Sequence, residues 1–539
     1  MRTVFKNGRI FTGSQAESAY GRHSCMIVNK DLIEYVGNDA DAEVEAATSE
    51  GATVLDLGQQ TLAPGFIDSH MHLLMFGFSL QKISIEHCKS LSDIQATIRQ
   101  AAKEHPSRPR LLCQGWMHFM TDGHALASDL EGLDEQNRPI FIDAKDLHST
   151  WCNSAALEEM AVQDMPDPPG GEIKRDEKGN PTGLMSEAAG IMVVWPHLAR
   201  VASMEDKLTA VREAIRTYNA AGYTGMIEMA MDENGWEALL QLRSKQELSI
   251  RLAVYWLIAP SKTDEENFRQ VDRAVELWTQ YNLTSSPDLR IAGIKIIGDG
   301  VIDACTAALL EPYSSTGSSI DPLWDADMLK KVVQRADAAG LQCALHAIGD
   351  ATIKISIDAL EAVASSGRRH RIEHLELTSP GDAKRLSNAG ITASIQAVHV
   401  DPAILRQWNN LLGAQRRGRA FAYREFLDEG VRLALGTDAP TAPNLPLPNL
   451  YTATTRRSAR EPDSEEVVNK HFALPLLNAF SAATQGAAHS VFLDKITGSL
   501  EAGMKADFVV LDMEWAPEKL LQATVKQTWF NGKQVYGTA

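Results

Sequence analysis

Two histidines one residue apart, His70 and His72, close an apolar run that contains Phe66-Ile67-Asp68. In an extended strand, residues i and i+2 project from the same face, so both imidazoles can reach one metal ion from a single strand end. A His-x-His pair alone is equally consistent with two surface histidines; its place at the end of an apolar run is what points to chemistry. Four more residues occupy equivalent places. His346 closes the run 341–345, His374 closes Arg371-Ile372-Glu373, Asp438 follows the run 433–437, and Lys295 lies inside the run 291–297. Singly, each has an ordinary explanation: a buried histidine bonds a carbonyl, and an aspartate after a strand caps the next helix. A lysine inside an apolar strand is harder to explain, because lysine is almost never fully buried unless paired.

Burial lowers the pKa of lysine, since the charged form loses its solvation. A neutral amine can combine with carbon dioxide to give a carbamate, an anion whose two oxygens can bridge two metal ions. Lys295 in that form would turn four histidines and one aspartate into a two-metal site. The competing reading keeps Lys295 cationic and pairs it with Asp299 or another carboxylate.

Such residues need a scaffold that brings distant strand ends together. Eight short apolar runs, at 64–70, 223–229, 252–258, 291–298, 341–346, 370–374, 391–396 and 431–438, read as buried parallel strands. Amphipathic stretches such as 207–221 and 327–339 separate them as helices. The alternation predicts an α/β fold, a (β/α)₈ TIM barrel spanning 63–488, with its site at the C-terminal ends of the strands. About 150 residues separate the first run from the second, far more than one helix needs. An inserted, lid-like subdomain is therefore expected after the first barrel strand, over roughly 111–196.

Both ends of the chain read as β. Asn7-Gly8 and Asn531-Gly532 each stand between short apolar or β-branched runs, the pattern of a tight hairpin turn. The economical inference is one small β-sandwich-like domain built from 1–62 and 489–539.

The chain has 539 residues, an apolar fraction of 44% and a charged fraction of 23%, which excludes disorder and a disulfide-stapled miniprotein. Its net charge of −18 disfavours phosphate backbones and anionic membranes, so no nucleic-acid or membrane partner is expected. None of the six cysteines forms a CxxC pair, which suits reduced thiols. The N-terminus lacks the apolar core of a signal peptide, and no apolar run reaches the ~18 residues of a membrane span. These features predict a soluble, cytoplasmic protein.

Taken jointly, the motifs resemble the amidohydrolase superfamily, and within it the YtcJ-like metal-dependent hydrolases that include N-substituted formamide deformylase. The resemblance runs the whole length. It rests on Pro64-Gly65-Phe66-Ile67-Asp68-Ser69-His70-Met71-His72, Lys295-Ile296-Ile297-Gly298-Asp299-Gly300, His346-Ala347-Ile348-Gly349-Asp350, Arg371-Ile372-Glu373-His374, Gly436-Thr437-Asp438-Ala439-Pro440 and the linker Gly498-Ser499-Leu500-Glu501-Ala502-Gly503. It implies that His70, His72 and Asp438 bind one metal, that His346 and His374 bind a second, and that carboxylated Lys295 and a hydroxide bridge the two. Zinc suits these ligands, two ions per chain or one. Asp438 would carry the proton from the attacking hydroxide to the leaving amine.

One motif departs from the family's. Where the family carries Gln-Pro-x-His on the seventh strand, this chain reads Gln396-Ala397-Val398-His399. His399 is expected to aid substrate binding or stabilise the oxyanion, with an ordinary loop histidine as the alternative. Asp146-Leu147-His148-Ser149 resembles part of the family's insertion, and His148 and Trp116 are expected to bind substrate, although Trp116 could equally be insertion core. His118, His124 and Glu187 are assigned no role. The expected activity is hydrolysis of a C–N bond in an amide, formamide or related N-acyl small molecule. A deaminase or esterase of the same superfamily, or a non-catalytic metal-stabilised binding or regulatory protein, are the alternatives. A homodimer is compatible with the family.

Overall fold

The computed structural model describes residues 2–13, 20–145, 147, 149–168, 170–364 and 367–537. These form two compact units: Met1–His72 with Ile215–Asp232 and Arg243–Ala539, and Leu73–Ala214 with Glu233–Leu242.

The first unit holds an eight-stranded sheet in which every neighbouring pair is parallel. Its strands are β1 (Phe66–Met71), β2 (Tyr223–Met231), β3 (Arg251–Ile258), β4 (Leu289–Ile297), β5 (Gln342–Ala347), β6 (Arg371–His374), β7 (Thr392–Ile395) and β8 (Leu433–Leu435). Each overlaps one of the eight apolar runs read from the sequence. Nearly all of their residues are buried, as strands covered on both faces require. The helices between them bury one stripe each. In Ala326–Ala338 that stripe is Leu329, Val332, Val333 and Ala336, and the side chain of Asp325 caps the helix by accepting the backbone N–H groups of Asp327 and Met328.

The sheet closes on itself at its C-terminal end. The amide of Asp438 donates to the carbonyl of His70 at 2.7 Å, and the amide of His72 donates to the carbonyl of Ala439 at 2.8 Å. Gly436 makes the approach sterically feasible: a Cβ there would lie 2.5 Å from the nitrogen of His70. The result is a TIM barrel whose closing seam runs between β1 and the segment after β8.

Two smaller sheets in the same unit draw strands from both termini. One orders Leu32–Gly37, Cys25–Asn29, Arg2–Lys6 and Thr53–Asp56; the other orders Arg9–Ile10, Thr61–Pro64, Phe508–Asp512, Thr524–Phe530 and Lys533–Tyr536. Phe5, Met26 and Ile33 of the first share a core with Ile10, Leu62, Phe508 and Val510 of the second. The two Asn-Gly pairs behave differently. Asn531-Gly532, with φ of 50° and 69°, makes the expected two-residue hairpin between Phe530 and Lys533. Asn7-Gly8 does not make a hairpin. Residues 2–6 pair in one sheet and Arg9–Ile10 in the other, so the dipeptide carries the chain across the sandwich. There Gly8 is packed so closely that a Cβ would meet the Leu57 side chain at 2.5 Å.

The second unit contains a six-stranded sheet ordered Gly171–Arg175, Pro181–Glu187, Ser149–Cys152, Ile140–Ala144, Leu111–Trp116 and Ile83–Ser84. It includes 111–196 and reaches beyond it on both sides, beginning directly after His72. Packing accounts for the extent: Ile94 and Ile98 of the helix Leu91–Glu104 are buried in one core with Leu111, Cys113 and Trp116.

All six cysteines are free thiols. No helix among the described residues is long and apolar enough to cross a membrane.

Candidate metal centre

The barrel seam assembles the first cluster. His70 Nε2 lies 3.4 Å and His72 Nε2 3.2 Å from the same oxygen of Asp438, Oδ1. Asp438 has φ of 61°, a left-handed conformation that aspartate tolerates better than most residues. Its turn is held by Asp68, whose carboxylate accepts from the amide of Thr437 at 2.9 Å, the Thr437 hydroxyl at 2.5 Å and the Tyr218 hydroxyl at 3.0 Å. Burial pushes the Asp68 carboxyl up to about 6. Burial also acts to raise Asp438, but the imidazoles of His70, His72 and His374 outweigh it and hold its carboxyl well below the usual range.

His70 is fixed from behind. Its Nδ1 lies 2.8 Å from Glu373 Oε2, which leaves Nε2 as the atom facing Asp438. Glu373 and Arg371 sit at i and i+2 of β6 and are both fully buried. The guanidinium of Arg371 donates to Glu373, to the carbonyl of Ser69 at 2.6 Å, and to the hydroxyls of Ser394 at 2.7 Å and Ser490 at 3.1 Å. Burial acts to raise Glu373, yet Arg371 and His70 hold it ionised, far below the usual glutamate range. A histidine restrained in this way by a carboxylate is ready to bind a metal through its other nitrogen.

The second group gathers around His374, at the end of β6. Its ring centroid lies 4.9 Å from that of His70 and 4.3 Å from that of His346 at the end of β5. Burial drives all three imidazoles towards the neutral form that binds metals: His70 down to about 4, His346 down to about 3, and His374 well below its ordinary value. Lys295, on β4 beside Ala344 of β5, is buried, and its Nζ has no hydrogen-bond partner among the described residues. Burial pushes its pKa down to about 8. It does not pair with Asp299. The Asp299 carboxylate instead accepts the amides of Ala308, Ile348 and Gly349 at 3.1, 3.1 and 2.9 Å, and burial pushes it up to about 7.

His399 joins the group despite the missing proline. It lies in the short turn Ala397–Val400 after β7, and its ring stacks on that of His374 at 6.0 Å and 7°. Its Nδ1 lies 3.1 Å from Glu376 Oε1 and its Nε2 3.8 Å from Asp438 Oδ2. Burial lowers His399, but the adjacent Glu376 carboxylate more than offsets this and raises it.

Trp116 lies elsewhere in the chain, in the core of the second unit. It is fully buried, its indole N–H donates to the Thr121 hydroxyl at 3.2 Å, and its ring packs on Trp151 and His118. His148 lies outside the described residues.

Several groups that hold this site together were not singled out from the sequence: Asp68, Arg371, Glu373 and Glu376. The signal lay in β6 and the residues after it, where acidic residues at 373 and 376 flank His374 inside an apolar stretch. Buried charges of this kind must be paired, and here their partners are the histidines.

The donors suit a bound cation. Among the described residues, one atom each of His70, His72 and Asp438 lie within 4.8 Å of one another, and so do atoms of His374, Glu376 and His399. Among the described residues Lys295 Nζ, His72 Nδ1 and His374 Nδ1 have no hydrogen-bond partner, which is costly for buried atoms unless a ligand supplies one.

The amidohydrolase family profile matches residues 53–536. The putative amidohydrolase YtcJ of Bacillus subtilis (strain 168) is 26% identical over 99% of this chain and 99% of its own. An N-substituted formamide deformylase of Arthrobacter pascens is 25% identical over 95% of each chain. A crystal structure of an uncharacterized metal-dependent hydrolase from Pyrococcus furiosus superimposes with a TM-score of 0.78 at 23% identity, covering 96% of this chain and all of that one, and so shares its fold. With the barrel and the profile in agreement, the chain belongs to the amidohydrolase family and is a metal-dependent hydrolase acting on C–N bonds.

Proposed function

We propose that this hydrolase cleaves the C–N bond of an N-formyl or related N-acyl small molecule. The observation that carries the reading is the convergence of His70 Nε2 and His72 Nε2 on Asp438 at the barrel mouth. The resemblance to an N-substituted formamide deformylase over 95% of the chain supports the substrate class.

In this reading His70, His72 and Asp438 would hold one metal, and His346 and His374 would hold the second. Zinc fits a set of imidazoles and a carboxylate. Bound there, it would lower the pKa of water to roughly 7 and polarise the substrate carbonyl. Lys295, carboxylated, would supply a further anionic ligand. Its deprotonated Nζ forms a bond to the carbon of carbon dioxide, one C=O pair shifts onto oxygen, and the proton lost from nitrogen passes to solvent. The burial that pushes Lys295 down to about 8 makes the neutral amine accessible.

The remaining work falls to the chain itself. Asp438, held ionised by its neighbouring imidazoles, takes the proton from the attacking water and delivers it to the departing amine nitrogen. With both ring nitrogens protonated, His399 donates a hydrogen bond from Nε2 to the carbonyl oxygen as negative charge grows on it. Without a protonated leaving nitrogen the C–N bond would break to an amide anion, so the shuttle matters most for unactivated amines.

The test is a panel of N-alkyl and N-aryl formamides, longer N-acyl amines, esters and aminopyrimidines, assayed with metal-loaded enzyme for formate, acid, amine and ammonia. Formate and free amine appearing together, absent from metal-depleted protein, is the expected result. Turnover of esters or release of ammonia with every formamide untouched would overturn the formamide reading.

A further inference from the structure

His399 is held in two ways at once. Its ring face lies against His374, nearly parallel at 6.0 Å, and its edge is tied through Nδ1 to Glu376 Oε1 at 3.1 Å. Glu376 is itself immobilised. It is buried two residues beyond β6, and its backbone carbonyl accepts the amide of Phe421 at 2.7 Å. A face contact and an in-plane hydrogen bond together fix both the tilt and the rotation of an imidazole.

The consequence concerns which nitrogen reaches the reaction. A carboxylate can only accept, so the hydrogen on Nδ1 is committed to Glu376 whatever the charge of the ring. Nε2 is then the one atom of His399 left for chemistry. It lies 3.8 Å from Asp438 Oδ2, beyond direct hydrogen-bond range, so Asp438 does not consume it. A substrate held beside Asp438 would find Nε2 already aimed: in the neutral ring it accepts, as from a substrate N–H, and in the doubly protonated ring it donates to the carbonyl oxygen. We infer that Glu376 is a positioning residue for the hydrolysis: it keeps the hydrogen of His399 on Nδ1 and turns Nε2 towards the substrate. The inference rests on the hydrolase reading above. It also explains how His399 keeps its place without the proline: its orientation comes from β6 rather than from the backbone of its own loop.

The test uses the full-length, metal-loaded protein labelled with [15N]histidine. Long-range 1H–15N spectra report which ring nitrogen carries hydrogen, and the H399N variant assigns the signal. The wild type should show a protected Nδ1–H on His399. That signal should vanish in E376A and survive, shifted, in E376Q, whose amide oxygen can still accept. Metal content per chain should be the same in all three. With 4-nitroformanilide as the chromogenic probe, kcat of E376A should fall about tenfold or more while KM stays within about twofold, and E376Q should recover part of the loss. An unchanged His399 spectrum in E376A would overturn the inference. So would loss of one metal equivalent in E376A, which would make Glu376 a ligand alongside His374 and His399. A wild type inert on every formamide would sink the substrate proposal, while the spectra and the metal count would still judge Glu376.

Discussion

The amide of Asp438 donates to the carbonyl of His70 at 2.7 Å, while the side chains of the same two residues meet at 3.4 Å. One contact closes the barrel and the other belongs to the candidate metal centre. The first strand of the sheet and the segment after the last are therefore joined by two residues of the candidate metal centre. In the proposed mechanism Asp438 has a second duty, moving the proton. Asp438→Asn keeps the shape and the backbone bond but loses the basic oxygen. It should retain the fold and lower kcat by about 10²- to 10⁴-fold. Steady-state kinetics on metal-loaded protein decide the matter; near-normal activity with metal bound would exclude Asp438 as the shuttle.

Glu373 acts one step further back. It pins His70 through Nδ1 at 2.8 Å and is itself neutralised by Arg371. Glu373→Ala should leave the imidazole free to rotate and weaken metal affinity about 10- to 100-fold. Competition against a chromophoric chelator measures this directly, without any substrate. Affinity within about twofold of wild type would mean that barrel packing alone orients His70.

Lys295 tests the number of metals. Its amine is buried with no hydrogen-bond partner among the described residues, which leaves it open to the proposed carboxylation. Elemental analysis of protein purified without chelator and with bicarbonate present should find two transition-metal ions per chain. Lys295→Ala should bind one at most, with short carboxylic acids restoring part of the second site. Two ions retained in Lys295→Ala would show that no carbamate bridge is needed.

Much of this was legible in the sequence because burial writes itself as apolar runs. All eight barrel strands, and the candidate ligands at the ends of several, could be read from runs broken by a single polar residue. What could not be read was pairing. Asn7-Gly8 and Asn531-Gly532 share a dipeptide, yet only the second closes a hairpin, because the partners of residues 2–6 lie elsewhere in the chain. The supporting carboxylates of Glu373 and Glu376 were hidden for a related reason. A charge inside a strand becomes intelligible only once its partner is known, and those partners are 303 and 23 residues away.

The second unit offers a pH-dependent prediction remote from the metal. Arg138 donates to both oxygens of Asp134 and to the carbonyls of Ala102, His105 and Arg108, joining the end of the helix Leu91–Glu104 to the next strand. The hydrogen bonds from Arg138 outweigh burial and bring the Asp134 carboxyl down to about 2. The folded pKa lies below the unfolded value of about 3.9, so the stabilisation is complete above pH ~4 and is lost as pH falls through about 2. In urea titrations across that window, Asp134→Asn should remove up to one proton from the pH dependence of stability and lower stability at pH 6. Identical slopes for variant and wild type would show that the pair contributes no linkage.

A buried pair in the first unit separates the worth of a salt bridge from the cost of breaking one. Arg251, the first residue of β3, is buried, and it donates to Asp507 Oδ2 from Nε at 3.0 Å and from Nη2 at 2.9 Å. Asp507 also accepts the amide of Asn531 at 2.8 Å, so the same carboxylate anchors the terminal hairpin. Arg251→Met strands a carboxylate in a dry environment and should cost about 3–5 kcal/mol. Removing both charges, with Arg251→Met and Asp507→Leu together, eliminates the stranded ion, and the double variant should be more stable than Arg251→Met alone. The remaining deficit should be small and should trace to the unpaired amide of Asn531 and the lost packing of the guanidinium over Phe530. If the double variant is instead destabilised by the sum of the two single variants, the residues act independently and the pair is not a coupled unit.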